Sequence, residues 1–200
     1  MEGLLSLDTR LFLAVNSLQS ENWDAIMSWF SGKLTWWPFY LLVLVYLGWK
    51  KGWQLLPLVL FVAMAVAMTD QTSVHLFKNV FHRLRPCHEP SLEGMVHLVN
   101  DQCGGQYGFI SSHAANTAGV AMLVCLLVRR WWFAGVMILW AFLVGYSRIY
   151  LGVHYPGDVL AGWLWGVLCG GMVYGLFRMV MIRLPASWWI KGNDNRFISG

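Results

Sequence analysis

Between Ser147 and Asp158 the chain reads SRIYLGVHYPGD, placing an arginine, a histidine and a carboxylate at spacings that suit catalysis. His154 lies six residues after Arg148 and four before Asp158. Pro156 stands where a helix would begin, because proline suits a first helical position and a long apolar run follows. Asp158 would then sit in that helix's first turn, favoured by the dipole and able to reach back to His154. An imidazole held by a carboxylate at one nitrogen keeps the other free as a nucleophile or base. Arg148, fork-shaped and permanently charged, suits a phosphate or a carboxylate. The same residues also describe a satisfied interfacial histidine and a charge that merely orients a membrane span.

Two further stretches carry chemistry. In KNVFHRLRP, Lys78 and Arg85 are separated by six residues and Pro86 follows. Two cations at a membrane surface commonly meet anionic headgroups; together with Arg148 they would make a phosphate cage. In Ile110-Ser111-Ser112-His113, Ser111 is placed as a helix N-cap, and the free N–H groups of the following turn form an anion site. A cap needs no further function, but His113 beside it is the candidate general acid.

These stretches must be positioned by an apolar scaffold. Of the 200 residues 58% are hydrophobic and only 12% charged, with 13 Trp, which indicates an integral membrane protein. Basic residues are scattered between apolar runs, which argues against a nucleic-acid partner. Cys87, Cys103, Cys125 and Cys169 have no CxxC spacing, so no structural zinc site is expected. The acidic N-terminus, interrupted by Asp8 and Arg10, does not resemble a cleavable signal peptide.

The expected fold is all-α: a polytopic bundle of five transmembrane helices, or six if Trp23 to Phe30 re-enters the membrane. Residues 1–33 would hold an interfacial amphipathic helix, Leu4 to Leu18, and that short segment. Residues 34–182 would form the transmembrane domain, with spans at Leu34 to Trp49, Gln54 to Phe77, Ser112 to Val128, Trp131 to Tyr150 and Pro156 to Val180. Asp70, near the end of the second, receives a supporting role at most. A polar loop, about 78–110, would carry the first motif, and residues 183–200 would be a cytoplasmic tail.

With five alternating spans, the turns at Lys50/Lys51 and Arg129/Arg130 and the basic tail share one face, which the positive-inside rule assigns to the cytoplasm. The opposite face then receives Lys78, Arg85, Ser111, His113, Arg148, His154 and Asp158 together. On that face Cys87 and Cys103 could form a disulfide closing the loop.

Lysine, six residues, Arg-Pro; then a Ser-x-His turn; then Ser-Arg, five residues, His, three residues and Asp: this resembles the three-part signature of the type 2 phosphatidic acid phosphatase superfamily of lipid phosphate phosphatases. The middle motif departs from the family's Pro-Ser-Gly-His, with Ile110 for proline and Ser112 for glycine. The resemblance implies that Lys78, Arg85 and Arg148, with Ser111 and the Ser112 and His113 amides, hold the phosphoryl oxygens. It implies that His154 attacks phosphorus, that Asp158 stabilises the imidazolium, and that His113 protonates the leaving oxygen.

Hydrolysis would proceed without a metal or other cofactor, the cations replacing a divalent ion. His75, His82, His88 and His97 match no metal motif and stay outside the site. The substrate would be a membrane lipid phosphate: undecaprenyl diphosphate first, with phosphatidylglycerol phosphate, phosphatidic acid or lipid A phosphates as alternatives. A non-catalytic lipid-binding or transport protein is the reading from another class. The compact chain looks bacterial, which places it in the inner membrane with its site facing the periplasm.

Overall fold

A computed structural model describes residues 2–51 and 55–183, and within them every regular element is helical. The expected tail with Trp188 and Trp189 lies outside the described residues. Helix α1 spans Glu2–Asn16, α2 Glu21–Ser31, α3 Trp37–Lys51 and α4 Leu55–Thr72. A π-helical turn, Ser73–Lys78, and a last turn, α5, Asn79–Phe81, prolong α4. After the loop come α6, Ser112–Val128, α7, Trp131–Tyr150, and α8, Pro156–Arg183.

Among the described residues three helices are long and apolar enough to cross a bilayer: Leu55–Phe81, Trp131–Tyr150 and Pro156–Arg183, with Ser112–Val128 a shorter apolar helix. The expected second and fifth spans thus extend beyond Phe77 and Val180, because the polar residues at their ends remain helical. Helix α3 has 15 residues, about 22 Å at 1.5 Å per residue, less than the ~30 Å hydrocarbon core. Leu41, Leu42, Leu60, Leu139, Leu164 and Leu168 are exposed, as lipid-facing residues are. An aromatic and aliphatic core joins α3, α4, α6, α7 and α8 through Leu47, Leu58, Val124, Trp140 and Phe177.

The tightest seam runs between α6 and α8. Gly162, Gly166 and Gly170 recur every four residues along one face of α8. A Cβ on Gly166 would strike the Ala115 carbonyl oxygen, and one on Gly162 would lie 2.6 Å from that of Ser111. Small residues allow this backbone approach, as in other membrane helix pairs. The consequence is functional: the second motif, at the start of α6, is pressed against the third, at the start of α8.

The loop after α5 is ordered by pairing with itself. Leu84 and Tyr107 form an antiparallel bridge, Arg85 N donates to Gln106 O, and Gly108 N donates to Arg83 O. Cys87 and Cys103 are joined as a disulfide. Helix α1, expected as a membrane-surface helix, packs into the fold. Its Phe12 is fully buried, and Asn16 donates to the carbonyls of His97 and Tyr150 while accepting from His97 N. One amide side chain therefore ties α1, the loop and α7 together.

Candidate active site

The turn between α7 and α8 carries His154. Gly152, at φ +80°, opens that turn in a conformation that a side chain would strain, and its Cβ would lie 2.7 Å from His97 O. His154 is buried, and its Nδ1 lies 3.5 Å from Oδ2 of Asp158, in the first turn of α8. The approach is longer than a good hydrogen bond, and Nδ1 has no other partner among the described residues. The Asp158 carboxylate is pinned elsewhere: Oδ2 accepts from Tyr155 N at 3.0 Å and Oδ1 from Arg83 Nη1 at 2.8 Å. Burial holds the His154 imidazole well below its ordinary pKa, and Arg85, Arg148 and Lys78 push in the same direction. The ring is consequently neutral near pH 7, the form in which a histidine can be a nucleophile.

Lys78 arrives from the π-helical turn. Its Nζ donates to Ser112 Oγ at 2.8 Å, and Ser73 Oγ meets the same hydroxyl at 2.6 Å. Residues five apart sit about 140° apart around an α-helix, whereas a π-turn, bonded i to i+5, brings them to one side. The local change of helix type thus delivers Ser73 and Lys78 to one hydroxyl. It also accounts for Ser112 at the position where the family pattern has glycine: the hydroxyl is a bracket for the lysine. Ile110, the other departure, is fully buried. Ser111 caps α6, its Oγ accepting from Ala114 N at 3.5 Å, and its own N–H donates to Asp158 O at 3.0 Å.

Arg85 is buried, with Nε donating to Tyr107 O and Nη1 to Cys103 O. Burial lowers its pKa, and the Asp158 carboxylate acts the other way. Arg148, in the last turn of α7, donates through Nη1 to Ser31 Oγ, while its buried Nε has no partner among the described residues. His113 is half-buried in the first turn of α6, with the cations Arg148, Lys33 and Lys78 and the His154 imidazole as neighbours. Lys78, Arg85, Arg148, His113, His154 and Asp158 are therefore gathered at one end of the bundle, and Ser111 and Ser112 brace them. Asp70 accepts, through its backbone carbonyl, from Ser73 Oγ, and its carboxylate makes no hydrogen bond or salt bridge with the cluster among the described residues, although its charge acts on Lys78. His97 bonds Asp24 at 2.8 Å, and His88 lies beside the two sulfurs of the disulfide.

Sequence reasoning missed Arg83, Asp8, Ser31 and Ser73. Arg83 had a signal: in HRLRP it is two residues before Arg85, and alternate residues of an extended segment share a side. Asp8 and Ser31 come from distant parts of the chain and carry no local signal, and Ser73 joins Lys78 only because the helix between them is a π-turn.

The sequence model of the PAP2 superfamily matches residues 54–182. The chain belongs to the PAP2 superfamily. Its apolar helices and this membership together make it a membrane lipid phosphatase. It is 36% identical over 194 residues to the lipid A 4'-phosphatase of Bacteroides thetaiotaomicron, covering 96% of this chain and 86% of that one. It is 34% identical over 184 residues to the lipid A 4'-phosphatase of Porphyromonas gingivalis, covering 92% of this chain and 78% of that one. The fold is shared with the crystal structure of the transmembrane PAP2-type phosphatidylglycerolphosphate phosphatase from Bacillus subtilis. The TM-score is 0.67 and the identity 22%, covering 90% of this chain and 89% of that one.

Proposed function

We propose that this protein hydrolyses a phosphate of lipid A without a metal ion, through a phosphohistidine on His154, at the periplasmic face of a bacterial inner membrane. The observation that carries the substrate is the resemblance to a lipid A 4'-phosphatase along 96% of the chain, well beyond residues 54–182. Undecaprenyl diphosphate, the first expectation from the motifs, moves behind lipid A. The motifs bind the phosphate and say nothing of the lipid that bears it.

In the proposed reaction Nδ1 of His154 faces Asp158, leaving Nε2 to attack phosphorus. The new N–P bond forms as the P–O bond to the lipid breaks, and His113 delivers a proton to the departing oxygen. Water deprotonated by His113 then attacks phosphorus, the N–P bond breaks, and inorganic phosphate leaves. Lys78, Arg85 and Arg148 neutralise the phosphoryl oxygens, and the unpartnered Nε of Arg148 is a donor for one of them. These fixed cations take the place of a divalent ion. The orientation rests on basic residues at the far end of the bundle, Lys50, Lys51, Arg129, Arg130, Arg178 and Arg183.

The test is phosphate release by detergent-purified protein in EDTA, offered lipid A, undecaprenyl diphosphate, phosphatidylglycerol phosphate and phosphatidic acid, beside His154→Ala. The expected result is release from lipid A that EDTA leaves intact and the variant loses. Faster release from undecaprenyl diphosphate would overturn the substrate. Lipid binding without release from any panel member would favour the non-catalytic reading.

A further inference from the structure

Helix α1 precedes the region matched by the family model, yet it supplies a carboxylate to the histidine turn. Asp8 Oδ2 meets Arg83 Nη2 at 2.6 Å, and its Oδ1 accepts from Gly157 N at 2.7 Å. The other arm of Arg83 meets Asp158 at 2.8 Å. Asp158 is fully buried, while Arg83 and Asp8 are mostly so. The Arg83 guanidinium lies 4.1 Å over the Tyr155 ring, which meets the Phe12 ring of α1 in a T-shaped contact. Gly157 is the residue this geometry requires, since a Cβ there would lie 2.9 Å from Asp8 Oδ2.

We propose that Asp8 and Arg83 are positioning residues for the phosphatase reaction: Arg83, shared between the carboxylates of Asp8 and Asp158, holds Asp158 in register with His154. The proposal rests on the mechanism above, in which Asp158 serves His154. A carboxylate can rotate about its own axis, and Asp158 is stopped from doing so at both oxygens. Arg83 holds Oδ1, and the Tyr155 amide holds Oδ2, the oxygen nearest His154. Asp8 controls how much of Arg83 reaches Asp158. With both arms of the guanidinium free, a two-pronged grip on one carboxylate is the preferred geometry, and Arg83 would compete with His154 for Oδ2. Asp8 occupies the second arm and leaves Oδ2 to the imidazole. Because its other oxygen takes the Gly157 amide, Asp8 also fixes the first turn of α8, where helix N–H groups lack internal partners.

A purely structural staple would lower stability and leave turnover per folded molecule unchanged, so the test separates the two. Full-length protein in detergent is compared with Asp8→Asn, Asp8→Glu, Arg83→Lys, Arg83→Gln and, as reference, Asp158→Asn. Phosphate release is measured from lipid A and from para-nitrophenyl phosphate, with thermal unfolding followed by tryptophan fluorescence. Asp8→Asn is expected to lower kcat on the order of 10-fold with KM within about twofold, because ground-state binding is untouched. Asp8→Glu should recover part of the loss and Arg83→Gln should approach Asp158→Asn. Asp8→Asn combined with Arg83→Gln should be no worse than Arg83→Gln alone, as expected for residues acting in one chain of contacts. Wild-type kcat in Asp8→Asn, whatever its melting temperature, would overturn the proposal while leaving the phosphatase reading intact. If Arg83→Gln does not fold, Asp8→Asn decides the matter. A wild-type protein that releases phosphate from neither probe would remove the underlying mechanism and this proposal with it.

Discussion

Arg83 and Arg148 stand at the same end of the bundle, and the contrast between their surroundings separates two kinds of charge. Arg83 is answered on both arms by carboxylates and lies over an aromatic ring. Arg148 has a serine on one arm, no carboxylate among its described partners, and a buried Nε left unmatched. A buried donor without a partner is costly, so a fold that keeps one forgoes stability at that point. Arg83 is thus neutralised within the fold, whereas the side facing His113 and His154 holds positive charge in surplus. A surplus of that kind suits an anionic substrate better than it suits the resting protein.

Removing one arginine from each side would break or sharpen the contrast. Arg148→Gln is expected to have the largest effect, a loss on the order of 10²–10³ in kcat/KM with little change in melting temperature, because it removes a charge that no carboxylate matches among the described residues and that the proposed mechanism assigns to the phosphoryl group. A large drop in stability with residual activity would show Arg148 to be the structural arginine of the pair.

The disulfide tests the loop side. Cys87 and Cys103 are 16 residues apart, and closing a loop of that length contributes about 3 kcal/mol in the chain-entropy account. Replacing both cysteines with serine should lower unfolding stability by about that amount. Activity per folded molecule should fall less than in Arg148→Gln, although Arg85 donates to Cys103 O. Equal losses in the two variants would mean that the loop and the cation cluster are one unit.

The smallest effect concerns pH. The His154 pKa is depressed in the folded protein, so the unfolded chain binds the proton more readily once pH falls below the ordinary value of 6.5. Stability should therefore be fully present above about pH 6.5 and decline as pH falls through that region and below. His154→Gln should flatten that part of the profile, and an unchanged slope would show that the imidazole is not held neutral.

Much of this site was legible because its spacings are local. Lys78 with Arg85, Ser111 with His113, and Arg148 with His154 and Asp158 are each a short stretch of chain, and proline before an apolar run marked the start of α8 to the residue. Apolar length located α6 and α7 equally well, since a membrane helix must satisfy its backbone internally whatever surrounds it. The end of α4 was less legible: its continuation through a π-turn depends on Lys78 and Ser73 finding Ser112, a partner on another helix. Helix α1 showed its amphipathic pattern but not which side of the chain it would cover.

Composition, span length and three local spacings were enough to determine the membrane class, the helical architecture and the set of residues gathered at one end, because each is a property of neighbours along the chain. Tertiary structure alone decided how those residues are paired. It put Asp8 and Asp158 on one arginine, turned Ser112 into a bracket for Lys78, and left Arg148 without a carboxylate among the described residues. Those outcomes depend on which helices approach closely enough for side chains to meet, and the glycines of α8 and the self-paired loop set that approach across distances no local pattern encodes.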